Sequence, residues 1–72
     1  MNGLVVKKIS SSTICVMDAV TGSTIDHICG GDFQTAYATG PTTVVVESSN
    51  CVTIYDFSKG FGQCVNFWAK YN

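Results

Sequence analysis

Asp-x-x-x-Gly occurs twice in this chain, as Asp18 to Gly22 in MDAVTGS and as Asp56 to Gly60 in YDFSKGF, with the copies 38 positions apart. Runs rich in Val, Ile and Thr flank both. Between β-rich runs, such an Asp accepts a hydrogen bond from a backbone N–H two residues on and starts a type I turn. The Gly then takes the left-handed conformation that closes the hairpin with a bulge. A chain carrying this signal twice builds two similar hairpins, and its fold must offer equivalent places for them.

Laying the chain on itself at that spacing pairs Val6 with Val44, Ser10 with Ser48, Ser11 with Ser49, Ile14 with Val52 and Val16 with Ile54. With the identities at Asp18 and Gly22, those at Ser10 and Ser11 fall at the turns before and after one strand. Self-similarity at a fixed period is the signature of a repeat, and the competing explanation is convergence, since turn residues recur in unrelated hairpins. Leu occurs once, at Leu4, and Val, Thr and Ile dominate instead. Branched side chains lose χ1 freedom in helices and fit pleated surfaces, so the expected fold is all-β. Strands are predicted over Leu4–Ile9, Thr13–Met17, Ser23–Ile28, Phe33–Ala38, Thr42–Glu47, Cys51–Tyr55 and Gln63–Ala69, with turns at Gly30–Asp32 and Thr39–Pro41. This divides a single domain, residues 1–72, into pseudo-repeat units of residues 1–38 with four strands and residues 39–72 with three.

Four short antiparallel strands in about 40 residues is the plan of a β-propeller blade. The stretches ICVMDAVTGSTIDHI and VTIYDFSKG resemble the blade hairpins of WD-repeat and pyrroloquinoline-quinone-type propellers, in which an apolar-Asp pair precedes a turn ending in Gly. Tyr55-Asp56 meets the aromatic-Asp form, Met17 replaces the aromatic in the first unit, and the Gly-His element of WD repeats is absent. The resemblance implies a blade-like architecture and carries over no functional residue, because propellers host unrelated activities.

Two units do not close a ring, so the resemblance also implies a homo-oligomer, with three chains giving six blades as the favoured assembly. In that ring the N-terminal strand of one chain completes the last sheet of the next. Two further features agree. A 72-residue chain is near the lower size limit for folding alone. Only 12% of its residues are charged, about half the usual share, as expected if part of the surface is covered by other copies. The alternative architecture is a compact seven-stranded barrel or sandwich, dimeric, in which the echo reflects two similar hairpins.

Composition also bounds function. The basic residues are Lys7, Lys8, Lys59 and Lys70, there is no Arg, and the net charge is −1, which argues against a phosphate-binding surface and so against nucleic acid. The N-terminus lacks the pattern of an export signal and no apolar run approaches a membrane span, so a cytoplasmic protein is expected, with no membrane partner. Cys15, Cys29, Cys51 and Cys64 include no close pair of the kind zinc sites use, and reduced thiols acting as small hydrophobes on strands are expected, with no metal and no cofactor. In STIDHIC, alternation puts Ile25, the lone His27 and Cys29 on one face and Asp26 with Ile28 on the other. An ordinary, partly buried His27 is expected rather than a general base. No G-x-S-x-G or comparable motif marks a nucleophile, so no catalytic residue is assigned and no enzyme is expected.

Aromatics gather in the second half, at Tyr55, Phe57, Phe61, Phe67, Trp68 and Tyr71. Tyr55, Phe57, Phe61 and Trp68 are the candidate ligand-binding residues, because aromatic rings supply rigid contact area and Phe57 and Phe61 fall in or beside a turn. Asp18, Gly22, Asp56 and Gly60 are assigned to turns. The expected function is a non-enzymatic homo-oligomeric binding or scaffold module that presents loops and interfacial pockets. Alternatives are a small lectin-like sugar binder, a phage or other viral accessory protein that captures a host factor, and a structural assembly subunit.

Overall fold

The computed structural model describes residues 3–70, so Tyr71 of the aromatic cluster lies outside the described residues. Seven strands follow one another: β1 (Leu4–Ser10), β2 (Thr13–Asp18), β3 (Thr24–Cys29), β4 (Phe33–Ala38), β5 (Thr43–Ser48), β6 (Cys51–Asp56) and β7 (Gln63–Ala69). No helix occurs among the described residues, and each strand end lies within one residue of the position predicted from patterning. The strands form two antiparallel sheets, one of three strands in the order β1-β2-β3 and one of four in the order β4-β5-β6-β7. These are two blade-like units; the seven strands do not join in one barrel, but two sheets sharing one core also fit the sandwich of the alternative reading.

One strand changes sides. Phe33–Ala38, expected as the fourth strand of the first unit, pairs with β5 in the second sheet, so the last sheet has four strands within the chain and does not wait for the N-terminal strand of a neighbour, which instead pairs with β2. The connection before β4 explains the correction. The Gly30 N–H donates to the Ser12 carbonyl, the Phe33 N–H to the Ser11 carbonyl, and the Ser49 N–H to the Asp32 carbonyl. These bonds fasten the connection to the β1–β2 turn at one end and to the β5–β6 turn at the other. Asp32 sits at φ 59°, a left-handed conformation that Asp tolerates better than most residues, and this reverses the chain toward β5.

With β4 reassigned, the repeat consists of β1-β2-β3 matched to β5-β6-β7, and the backbone records it. Ile25 bulges between Met17↔Thr24 and Val16↔Asp26, and Val65 bulges between Tyr55↔Cys64 and Ile54↔Asn66. The Ala19 N–H donates to the Gly3 carbonyl as Phe57 N–H does to Thr42, and Gly30 N–H donates to Ser12 as Lys70 N–H does to Asn50. In the first loop, Asp18 Oδ1 accepts from the Val20 N–H at 2.7 Å and Gly22 stands at φ 76°. In the second, Asp56 Oδ1 accepts from the Ser58 N–H at 3.0 Å and Gly60 stands at φ 86°. Both loops therefore share the Asp turn and the left-handed Gly, but they close differently: the Gly22 N–H donates to the Asp18 carbonyl and the Gly60 N–H to the Phe57 carbonyl, and six residues separate the paired Met17 and Thr24 where eight separate Tyr55 and Cys64.

A β-carbon at Gly22 or Gly60 would touch nothing within 4 Å, so substitution there tests backbone conformation alone. Gly22→Val and Gly60→Val are each expected to cost about 1–3 kcal/mol, which in a domain of this size lowers the melting temperature by several degrees. Gly31→Ala, at an open position without the left-handed φ, is the unaffected control. A wild-type melt for either valine variant would remove the equivalence of the hairpins.

The two sheets pack face to face. Leu4, Ile14, Val16 and Ile28 of the first meet Phe33, Val44, Val46 and Phe57 of the second, with Val6, Ile25, Ala36 and Tyr55 packed against them. The sheets approach most closely along β1 and β4 and splay toward β3 and β7. Phe57, fully buried, fills the wider side, with its ring against Gly62, where a β-carbon would lie 2.9 Å from Phe57 Cζ. Asp26 Oδ2 closes that side by accepting from the Gly62 N–H at 3.2 Å. Ile25, expected on the face of His27 and Cys29, packs against the core instead, because the bulge at this residue breaks the alternation.

Candidate functional site

Each sheet has a second face that the other sheet does not cover. On the four-stranded sheet, one register row carries Tyr37, Val45, Ile54 and Asn66, and the next carries Thr35, Glu47, Val52 and Trp68. Val45 and Val52 are shielded within the sheet, while Tyr37 and Trp68 are each 44% exposed. A polar edge closes this apolar face: Lys70 Nζ lies 3.5 Å from Glu47 Oε1 and donates to Gln34 Oε1 at 3.0 Å, and the Tyr37 hydroxyl donates to Glu47 Oε2 at 3.4 Å. An ion pair this exposed adds about 0–1 kcal/mol, so its consequence is to fix the rim rather than to stabilise the fold.

Register equates this face with a buried one. The rows Val6–Val16–Asp26 and Lys8–Ile14–Ile28 of the first sheet match the rows Val45–Ile54–Asn66 and Glu47–Val52–Trp68 of the second. The first pair of rows forms the inner face of the three-stranded sheet, sealed against its neighbour. Its counterpart carries the same succession of apolar and polar positions and lies open. The correspondence rests on the bulge at Ile9, which shifts β1 by one residue relative to β5, so it is not visible at a constant spacing of 38.

The four aromatic candidates do not converge. Phe57 is buried completely in the core and is not a surface contact, a correction to its expected role. Its turn folds inward over Gly62, which leaves room for the ring between the sheets. Tyr55 is half-buried on the inner face, its ring centroid 6.5 Å from that of Phe57. Burial, reinforced by the neighbouring Cys64 and Cys51, pushes its hydroxyl above the ordinary tyrosine range. Trp68 points from the opposite face of the same sheet, and Phe61, 51% exposed, stands in the β6–β7 loop.

The remaining chemistry-bearing residues are dispersed. Cys15 is buried, Cys51 half-buried, and Cys29 and Cys64 are exposed, so the thiols are not uniformly core residues. His27 is exposed rather than partly buried, because β3 is an edge strand and His27 lies on its outward face, opposite Cys15. No group of three His, Cys, Asp or Glu side chains stands together among the described residues, and no pocket opens among them. No helix is long and apolar enough to cross a membrane.

Asp56 reports on its loop. The Ser58 N–H is the main cause holding its carboxyl below the ordinary range; desolvation opposes this, and the Thr42 and Ser58 hydroxyls and Lys59 add to it. A carboxylate lowered by folding stabilises above its unfolded pKa, and that contribution is lost as pH falls through the folded value. Stability is therefore expected to decline from the ordinary carboxylate range, about pH 4, downward, and Asp56→Asn should flatten part of that decline in melts recorded between neutral and acid pH.

Comparison with protein-family models, curated proteins and solved structures finds no match for this chain. The open apolar face and its internal counterpart are thus the features from which function must be argued.

Proposed function

We propose that this protein is a non-enzymatic binding or scaffold module that works as a homo-oligomer, three chains arranging six blade-like sheets in a ring. The observation that supports this reading is the match between the open face around Trp68 and the face around Ile28 that is buried within the chain. A sheet face built to the pattern of a covered one calls for a cover. The splay of the two sheets, closest at β1 and β4, also agrees with blades converging on an axis.

Ligand contacts in such a ring fall between sheets of neighbouring chains and at the loop tips, where Phe61 is exposed. That placement keeps the sugar-binding and protein-capture alternatives within one class, and an array of glycans separates them. Association makes stability depend on concentration, since a partner that binds only the folded chain shifts unfolding by mass action. The melting temperature is expected to rise over a hundredfold increase in protein concentration. A melt independent of concentration would argue against the oligomer.

A further inference from the structure

Resting on the homo-oligomer reading, we infer that the open face of the four-stranded sheet docks head to tail on the outward face of the three-stranded sheet of a second copy. The occupant follows from the interface already inside the chain. There, Val6, Ile14, Val16 and Ile28 from the rows Val6–Val16–Asp26 and Lys8–Ile14–Ile28 pack against Val44, Val46 and Tyr55 from the rows Val44–Tyr55–Cys64 and Val46–Thr53–Phe67, whose β7 members Cys64 and Phe67 stay exposed. The first of these faces has its counterpart around Trp68. The second has its counterpart in the rows Val5–Met17–Thr24 and Lys7–Cys15–His27, on the outward face of the first sheet. Each chain therefore carries one open copy of both halves of its own internal interface.

Three details fit a second copy better than an unrelated partner. Val5 is 42% exposed on the second open face, as Trp68 is on the first, so each half offers an apolar residue. Lys7 occupies the counterpart position of Val46, and Glu47, already paired with Lys70 at the rim, that of the exposed Lys8, so docking brings a lysine toward a face that carries a carboxylate. The large residues also trade places. The internal interface has Ile28 on one sheet and the buried Phe57 on the other; their counterparts are Trp68 and Ala19, a large side chain on the opposite half.

The two faces are different surfaces, so the contact is heterologous: it generates a ring if the rotation closes and a filament if it does not. An isologous dimer would instead place the Trp68 face on its own copy.

The test uses Trp68→Glu, which disables one face, and Val5→Glu, which disables the other; both positions are exposed on edge strands. Lys7→Glu is a second, milder variant of the Val5 face, and circular dichroism checks that each chain is folded. Light scattering should show an oligomer for wild type and monomers for Trp68→Glu and Val5→Glu separately. Mixed, the two retain one intact interface and should form a one-to-one complex. Trp68 is the sole tryptophan, so in that mixture only the Val5→Glu chain carries tryptophan fluorescence, and that emission, excited selectively over tyrosine, should shift to shorter wavelength on adding excess Trp68→Glu chain. An oligomeric wild type with Val5→Glu and Lys7→Glu unaffected, or a folded mixture showing neither complex nor shift, would overturn the head-to-tail assignment. A monomeric wild type would overturn the homo-oligomer itself.

Discussion

Phe57→Ala is expected to destabilise the chain by about 3–5 kcal/mol, the usual cost of emptying a fully buried phenylalanine site. A domain of this length has a total stability of roughly 4–11 kcal/mol at 0.05–0.15 kcal/mol per residue, so the variant should be largely unfolded or close to it. The site has little means of collapsing, because Gly62 contributes no side chain to fill the gap and its backbone is held to Asp26 across the splayed side of the two sheets. Urea unfolding followed by circular dichroism measures the loss. A cost below about 1 kcal/mol would mean that Phe57 does not separate the sheets as described.

Ile14→Ala is expected to cost about 2–5 kcal/mol, and its counterpart Val52→Ala distinctly less in dilute solution. Both are central-strand residues in matched rows, but Ile14 is sealed between the sheets and Val52 is covered only by its own sheet and the side chains around it. Ile14→Ala removes one carbon more than Val52→Ala, a difference of about 1 kcal/mol, and what remains beyond it measures what a second sheet adds to one position of the repeat. It should narrow as protein concentration rises and the Trp68 face is covered. Equal costs at every concentration would separate the repeat from any role in association.

Patterning made most of the fold legible. Runs of six or seven residues rich in branched side chains, or in aromatic ones as in β4 and β7, punctuated by Asp, Gly, Ser and Asn, locate all seven strands, because strand propensity and turn chemistry act locally and agree here. The paired loops were readable for the same reason, since an Asp side chain and a left-handed Gly define a turn within five residues. The partner of β4 was not readable: it depends on the Asp32 reversal and on hydrogen bonds from the connection to two serine turns distant in sequence. Nor could alternation place Ile25 or equate β1 with β5, because single-residue bulges at Ile25 and Ile9 shift everything beyond them by one position.

The candidate site was less legible, and for a related reason. Phe57 and Phe61 look alike in sequence, each a phenylalanine in or beside a loop, yet one plugs the core and the other faces solvent. What separates them is the glycine at position 62, which makes room for the ring of Phe57. Trp68 was legible as an aromatic on a strand, whereas its meaning came only from register, which places it opposite Val52 as Ile28 lies opposite Ile14.

The absolute mass of the chain in solution, measured by light scattering after size exclusion over a wide concentration range, decides whether the chain assembles into a trimer. Three copies of the 7.7 kDa chain, unchanged by reductant, is the expected result, since the contacts proposed are sheet faces and not disulfides. A folded monomer at the highest concentration would contradict the account, leaving the repeat as a property of the fold with no part in assembly.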